Sequence, residues 1–459
     1  MSLKDLFRFF VDKSLSEIKE NQDCETRSAV ASESINDKQQ VASEPDINRQ
    51  PTVSILHSWK KGNGFFAPGV AIFVENGKGL LREAYTNEIT EYCYGNLMFG
   101  DKTLFQLQGG EYYCPTCEKI VKSGYNLEQT KEFSFDAINS EDSDFEAVVE
   151  QMKPLLGLLK SDYYFLWDTE LYPTDGNGNL FWDFPNEDIP MTGSCVYYRG
   201  ACEWGLLTPH FTIATQPKAK FNKERAEYYR DKPGARAIAY YMDGNLTALL
   251  DGHHKAMAAA MEHRKVRAVV ISRCSYTVWQ DVNKKKEKFL IANDARFNFS
   301  EPWIDERKFE SVHVATKKVI RLEPVTTNDE TEFDFDTKKL AYEYPTVSEC
   351  ASIDYFDEIN DELIDAYLRG EFVNDTYKCQ NLIEALGAIK SPRLFEVIDH
   401  CLYKEFDKDL LYFAAEQIEK QMERGNNLGQ DNLQDYLIEY MTKVENEYPE
   451  LGKKIFEML

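Results

Sequence analysis

The 459-residue sequence lacks the features that mark membrane and secreted proteins. It contains no run of about 18 apolar residues, so no segment is predicted to span a bilayer. Lys4, Asp5 and Arg8 interrupt the apolar core that a secretory signal peptide would need. The ten cysteines are mostly scattered singly, unlike a dense disulfide framework. We therefore expect no membrane partner and a cytoplasmic location.

Positive charge is also scarce. The chain has 53 Lys and Arg against 78 Asp and Glu, a net charge of −25. Such a surface repels phosphate backbones, so bulk duplex DNA is not an expected partner. The densest basic run, Val282 to Lys288, lies between two strand-like stretches and is interpreted as a solvated hairpin tip.

The N-terminal half divides by composition into four segments. Residues 1–19 follow helical spacing and predict one amphipathic helix. Residues 20–50 are polar and free of aromatic residues, which predicts a disordered linker. Residues 51–135 predict a β-rich domain that contains a Cys-x-x-Cys motif. Residues 136–211 predict an aromatic-rich α+β segment that packs on the centre, and its rings either line a ligand cleft or form core.

The C-terminal half divides into three segments. Residues 212–320 predict a central module and the strands that follow it. Residues 321–350 predict an acidic connection. Residues 351–459 are predicted to be helical, as either a HEAT-like repeat unit or a small bundle. A protein partner that binds through the helical regions is one expectation from this organisation.

The central module carries the clearest pattern. The predicted order is a strand, a tight Asp-Gly-Asn turn, a strand, a loop, an alanine-rich helix and a strand. The corresponding residues are Ala237–Met242, Asp243–Asn245, Leu246–Leu250, Asp251–Lys255, Ala256–Arg264 and Val266–Ile271.

The loop Asp251-Gly252-His253-His254-Lys255 predicts an anion-binding site. The first N–H groups of a helix have no intrahelical partners, and the helix dipole favours an anion there. Gly252 permits close backbone approach, while His253, His254 and Lys255 add donors or positive charge. Phosphate is the expected guest. The alternative is structural: Asp251 caps the helix and the histidines pack or form internal hydrogen bonds.

This pattern resembles the ParB/sulfiredoxin-like superfamily, in which a strand, an Asp-Gly-His-His-Arg-type loop and an alanine-rich helix form a nucleotide-phosphate pocket. The resemblance covers about residues 212–273. Together with the segments described above, it predicts an α+β fold with this module at its centre, between the β-rich N-terminal domain and the all-helical C-terminal region. Lys255 stands where the family usually has Arg, and a lysine binds phosphate as a point charge. The sulfiredoxin cysteine has Gly252 or His253 in its place, and the Glu-Arg-Arg loop of partitioning ParB proteins is absent.

The resemblance also implies candidate chemistry, since its relatives include small-molecule kinases and nucleases. Asp251 would deprotonate an acceptor or hold Mg²⁺, and His253 or His254 would steady a phosphoryl group. Glu224 and Glu227 are candidate bases by position. The implied ligand is a nucleotide or another phosphorylated small molecule, and the implied enzyme is a phosphotransferase or a nucleotide or phosphodiester hydrolase.

A second motif is Cys114-Pro115-Thr116-Cys117. Two cysteines at this spacing can supply half of a tetrahedral zinc site, but no matching second pair is present. Structural zinc and two free cysteines are equally compatible with the sequence.

Two functions therefore stand at this point. The first is binding of a nucleotide or phosphorylated ligand at the loop, with or without phosphoryl transfer or hydrolysis. The second is a non-catalytic regulatory or adaptor protein that acts through its helical C-terminal region and N-terminal helix.

Overall fold

The computed structural model describes part of the chain. The described residues are 50–60, 67–86, 95–100, 102–106, 136–183, 208–243, 245–273, 276–281, 286–291, 319–320, 332–356, 358–372, 375–402, 408–430 and 432–456. Three predictions lie outside them: the helix of residues 1–19, the linker 20–50 except for its last residue, and the Cys114–Cys117 pair.

Thirteen strands form three sheets in the described part of the chain. They are β1 Thr52–Trp59, β2 Gly69–Lys78, β3 Leu81–Thr86, β4 Gly95–Phe99, β5 Lys102–Gln106, β6 Lys160–Leu171, β7 Phe211–Ile213, β8 Ala237–Asp243, β9 Leu246–Asp251, β10 Val266–Arg273, β11 Tyr276–Asp281, β12 Lys286–Ile291 and β13 Val319–Ile320. The main sheet has the order β1-β2-β6-β10-β8-β9-β7, the second has the order β13-β3-β4-β5, and β11 pairs with β12.

The main sheet is mixed. Strands β10 and β8 are parallel, as are β9 and β7, and the other neighbouring pairs are antiparallel. Its central strands are apolar on both faces, as in Ala268-Val269-Val270-Ile271 of β10, because both faces are covered. The antiparallel pairing of β8 with β9 and the strand after the alanine-rich helix confirm two sequence predictions.

Helices cover both faces of this sheet. They are α1 Asp136–Asn139, α2 Phe145–Leu156, α3 Lys223–Arg230 and α4 His253–Met261. Val148, Met152 and Leu156 of α2 are buried in one core with Ile72 and Leu166 of the sheet. The opposite core contains three alanines of α4, Ala256, Ala259 and Ala260, together with Trp167 and Val270. Because alanine side chains are short, α4 can lie close against the strands.

The C-terminal part of the structure is helical. Its helices are α5 Thr337–Tyr342, α6 Val347–Asp354, α7 Asp361–Leu368, α8 Thr376–Ala388, α9 Leu394–Leu402, α10 Lys408–Glu423, α11 Leu433–Glu447 and α12 Pro449–Phe456. Helices α7 to α12 share a third core, which we call the helical core. Helices α8 and α9 lie on either side of Ser391-Pro392, where the sequence predicts a helix pair. Helix α5 and the start of α6 fall within the predicted acidic connection.

Helix α6 contacts both the main sheet and the helical part of the molecule. Val347, Cys350 and Ala351 are buried in the core between the main sheet and α2. On another side of the same helix, the hydroxyls of Ser348 and Ser352 donate to the carboxylate of Glu384 on α8, at 3.0 and 2.6 Å. Helix α6 therefore joins the sheet to the helical core.

A buried ion pair strengthens this junction. Glu349 of α6 is 0% exposed and receives two hydrogen bonds from the guanidinium of Arg424, which is 3% exposed, at 2.7 and 2.9 Å. Lys420 lies 3.0 Å from the same carboxylate. Two further N–H groups of Arg424 bind the carbonyls of Tyr342 and Tyr344. One guanidinium thus links α6 to the chain that precedes it.

The architecture confirms the predicted α+β class. In the part of the chain that the structure describes, no helix has the length and apolar character to cross a bilayer.

Candidate anion-binding site

The turn from β9 into α4 is the centre of the site. Gly252 has φ 94° and ψ 23°, a left-handed conformation that disfavours any residue with a Cβ. A Cβ at this position would also lie 2.7 Å from the Cβ of Ala237. The helix then begins at His253, three residues earlier than the sequence predicts. His253, His254 and Lys255 are therefore the first turn of the helix and not a loop before it.

The N-terminus of α4 has no side-chain cap. Its N-cap residue is Gly252, which has no side chain to offer. Other helices in the described part of the chain use a side chain that accepts a backbone N–H. These N-caps are Asn222, Asp336, Thr346, Asn360, Asp375 and Asn432. The expectation that Asp251 caps the helix is wrong, because the N-cap is Gly252 and the first turn of α4 receives no hydrogen bond from an N-cap side chain.

Both histidines bind the backbone that crosses the start of the helix. Nε2 of His253 accepts the N–H of Thr215 at 3.1 Å, and Nε2 of His254 accepts the N–H of Asn222 at 2.9 Å. An imidazole nitrogen that accepts must be unprotonated, so the ring proton of each histidine sits on Nδ1. The internal hydrogen bonding expected under the structural interpretation is confirmed. It holds the segment 215–222 over the helix start.

Burial keeps both rings neutral. It lowers the pKa of His253 to about 3, against a smaller raising effect of the Asp251 carboxylate. Burial also lowers the pKa of His254 to about 4, and the charge of Arg225 lowers it further. At neutral pH the two histidines therefore contribute hydrogen bonds and no positive charge.

Lys255 is directed into the protein. Its side chain is 5% exposed, and Nζ donates to the carbonyl of Arg236 at 2.7 Å. The same Nζ lies 3.6 Å from the carboxylate of Asp251 and 5.5 Å from the ring centre of Tyr229. The ammonium group therefore anchors the turn to the start of β8.

The start of β8 is itself fixed by a buried charge cluster. The guanidinium of Arg236 binds both carboxylate oxygens of Asp168 on β6, at 3.1 and 3.0 Å. Arg267 on β10 binds the same two oxygens at 3.0 and 2.7 Å. Burial raises the pKa of Asp168, but the two guanidinium groups outweigh it and hold the pKa below its ordinary value. The carbonyl that receives Lys255 thus belongs to a rigid part of the sheet.

Arg225 and Tyr229 complete the site, and the sequence reasoning did not single them out as site residues. They lie four residues apart on α3, which packs against α4. Arg225 is exposed, and its charge acts on His254. Burial raises the pKa of Tyr229; the charge of Arg225 lowers this pKa and the charge of Asp251 raises it. The signal that could have identified them is their i, i+4 spacing on a predicted helix that precedes the Asp-Gly-His-His-Lys segment in the sequence.

The candidate bases Glu224 and Glu227 also lie on α3. Glu227 pairs with Arg230 at 3.0 Å, and Arg230 also binds Glu262 at the far end of α4. Glu224 is exposed. The structure thus directs Glu227 away from the turn, while Asp251 remains at the turn with its side chain 30% exposed.

Aromatic rings cover the histidines from inside. The ring centre of Trp182 lies 5.6 Å from each of His253 and His254, and Phe221 stacks on His254 at 6.3 Å and 12°. Trp182 is fully buried and donates its indole N–H to the carbonyl of Gln216 at 2.6 Å. The sequence predicts that the aromatic segment either lines a ligand cleft or forms core, and Trp182 is part of the core.

Among the described residues, no three or more His, Cys, Asp or Glu side chains are grouped to hold a metal ion. Asp251 is one carboxylate next to an ammonium group. It would suit a Mg²⁺ ion only if a ligand brought most of the oxygens, as bound phosphates commonly do. Comparison of the chain with known protein families, with curated proteins and with solved structures finds no match.

Proposed function

We propose that the protein binds a nucleotide or another phosphorylated small molecule at the N-terminus of α4. The observation that carries the proposal is a helix that starts at a left-handed glycine without a side-chain cap and has an exposed arginine on the neighbouring helix. Uncapped N–H groups and the helix dipole favour a phosphate at such a position. The cytoplasmic location expected from the sequence belongs to the same proposal.

The contacts of the first turn suggest which groups shape this site and which would bind the phosphate. His253, His254 and Lys255 already bind backbone groups of the protein, so we assign them to shaping the site. Backbone N–H groups and the guanidinium of Arg225 would hold the phosphate, since arginine binds phosphate oxygens in a bidentate fork.

Phosphoryl transfer or hydrolysis is the catalytic form of the proposal. Asp251 is the acidic residue at the turn and would hold a Mg²⁺ ion that arrives with the ligand, or accept a proton from an acceptor hydroxyl. A bound Mg²⁺ would neutralise charge on the phosphate oxygens. Glu227 is left out of this role because Arg230 occupies its carboxylate.

The test is a titration of the purified protein with nucleoside mono-, di- and triphosphates and with inorganic phosphate, with and without Mg²⁺. Thermal unfolding is the first measurement. A ligand at 1,000 times its Kd stabilises the folded state by about 4 kcal/mol, which is easily measured.

Variants on α3 then locate the site. Arg225→Gln should weaken binding by about 10- to 150-fold, because a hydrogen bond to a charged group contributes about 1.5–3 kcal/mol. Arg230→Gln is the matched control, since it removes an exposed arginine from the same helix and should leave the Kd unchanged. Alanine variants of Lys255 or His254 are less informative because they also remove internal hydrogen bonds. Unfolding that no nucleotide or phosphate alters would overturn the proposal.

The adaptor function is the second candidate. It is favoured by a pair of exposed tyrosines on the helical part of the molecule, at the ends of α6 and α8.

A further inference from the structure

Three aromatic rings meet at the surface where α6 ends and α8 begins. Tyr355 follows the last residue of α6, Phe356 comes next, and Tyr377 lies in the first turn of α8. The rings of Tyr355 and Tyr377 meet edge to face at 5.5 Å and 86°, and Tyr355 and Phe356 meet at 5.0 Å and 84°. Tyr355 is 42% exposed and Tyr377 is 41% exposed. We call these three residues the tyrosine patch.

Exposed clusters of this kind are typical of binding surfaces. Tyrosine and arginine are enriched at the energetically important positions of protein interfaces, because a rigid ring offers a large contact area at low entropy cost. Tyr228 is a contrasting case: it is 59% exposed, but the ammonium of Lys232 already lies 3.2 Å from its ring centre. No cation of the described residues lies over the ring of Tyr355.

The surroundings of the patch are negative. Burial raises the pKa of Tyr355, and the carboxylate of Asp375 raises it further. Burial also raises the pKa of Tyr377, and the carboxylate of Glu384 raises it further. Over residues 337–459 the chain has 13 Lys and Arg against 26 Asp and Glu, which is a net charge of −13. Such a field attracts cationic partners and repels nucleic acid and anionic lipid.

We propose that the tyrosine patch binds arginine side chains of a basic segment of a partner protein. The guanidinium group is planar, so it can stack on an exposed tyrosine face while its N–H groups bind a nearby carboxylate such as that of Asp375. Lysine offers a point charge without the planar face, so an arginine-bearing segment should bind more tightly than a lysine-bearing one. This binding is independent of the phosphate site.

The experiment uses the full chain and two labelled peptides of about ten residues, one alternating Arg and Ser and the other alternating Lys and Ser. Binding is followed by fluorescence anisotropy at two salt concentrations. The double variant Tyr355→Leu/Tyr377→Leu keeps an apolar surface but removes the rings. A cation–π contact at an exposed site corresponds to about 2- to 5-fold in Kd, so the double variant should lose about 5- to 30-fold for the arginine peptide.

Three further variants separate the causes. Tyr228→Leu removes a more exposed tyrosine elsewhere and should leave binding unchanged. Tyr355→Phe/Tyr377→Phe keeps both rings and should retain binding, which guards against a folding defect in the leucine variant. Asp375→Asn removes a charge but keeps a good N-cap for α8, and it should weaken binding and reduce its salt dependence.

The outcomes are distinct. A preference for arginine that disappears in the leucine double variant supports the proposal. Equal binding of both peptides to wild type and to that variant would mean that bulk charge alone attracts them, and the proposal would be wrong. Failure of the wild-type protein to bind the arginine peptide, or loss of binding in the phenylalanine variant, would also overturn it.

Discussion

Replacement of Glu349 by glutamine tests how the helical core is held to the sheet. The glutamine keeps the size of the side chain and removes its charge, which leaves the guanidinium of Arg424 buried without a counter-ion. Removal of one partner from a buried ion pair costs about 3–5 kcal/mol. Because a glutamine oxygen can still accept one N–H, we expect a loss near 3 kcal/mol.

The six tryptophans make this loss separable by region. All of them lie before residue 304, so tryptophan emission reports on the chain that precedes α5, whereas far-UV circular dichroism also reports on α5 to α12. Because α6 contacts both parts, urea unfolding of Glu349→Gln should move to lower urea by both signals. Separate transitions would instead show that the two parts unfold independently.

The matched control is Glu371→Gln. Glu371 forms an exposed pair with Arg369 at 2.9 Å, and exposed pairs contribute about 0–1 kcal/mol. If Glu349→Gln costs no more than Glu371→Gln, the assignment of a structural role to the buried pair is refuted.

Acid should weaken the same pair. Burial raises the pKa of Glu349, but Arg424 and Lys420 outweigh it, so the folded-state pKa lies below the ordinary value of 4.5. The stabilisation is therefore present above about pH 4.5 and is lost as pH falls through the lower folded-state pKa. The difference between wild type and Glu349→Gln should shrink over the same range.

Three further predictions concern the sheet and the turn. Burial lowers the pKa of His253 from 6.5 to about 3, so the free energy of unfolding falls as pH drops below about 6.5, by about 2 kcal/mol at pH 5. In urea melts, the stability of His253→Gln should therefore depend less on pH than that of wild type, whereas the control His57→Gln should behave like wild type. Gly252→Ala should cost about 2–4 kcal/mol through left-handed strain and a clash with β8, whereas Gly178→Ala, at φ 86° with open space around it, should cost about 1 kcal/mol in the same melts. Asp168→Asn leaves two arginines facing a neutral side chain and should lower the free energy of unfolding by about 3–5 kcal/mol; a loss under 1 kcal/mol would contradict the assigned charge cluster.

The order of strands and helix around the site could be predicted because its signals are local. The Asp-Gly-Asn turn marks the β8–β9 hairpin, and the alanine run marks α4. The sequence predicts the start of α4 three residues late because two histidines and a lysine resemble a polar loop. They enter the helix because Gly252 adopts a left-handed turn and because Lys255 finds the carbonyl of Arg236, 19 residues away.

The remaining contacts depend on long separations along the chain. Glu349 meets Arg424 across 75 residues, and the hydroxyl of Tyr344 donates to the carbonyl of Arg264, in the connection between α4 and β10, across 80 residues. No periodicity in the sequence encodes such pairs. The direction of Lys255 into the protein is likewise a tertiary effect, because a lysine next to a glycine turn is ordinarily exposed.

The contacts of α6 with both the sheet and α8 limit how the chain can be divided or recombined. A fragment that begins at residue 346 would carry Val347, Cys350 and Ala351 into water without the sheet that covers them. A fragment that ends before residue 346 would leave the matching surface of the sheet open instead. Exchange of the helical part between proteins would therefore require matching substitutions in α6 and in the sheet surface that it covers.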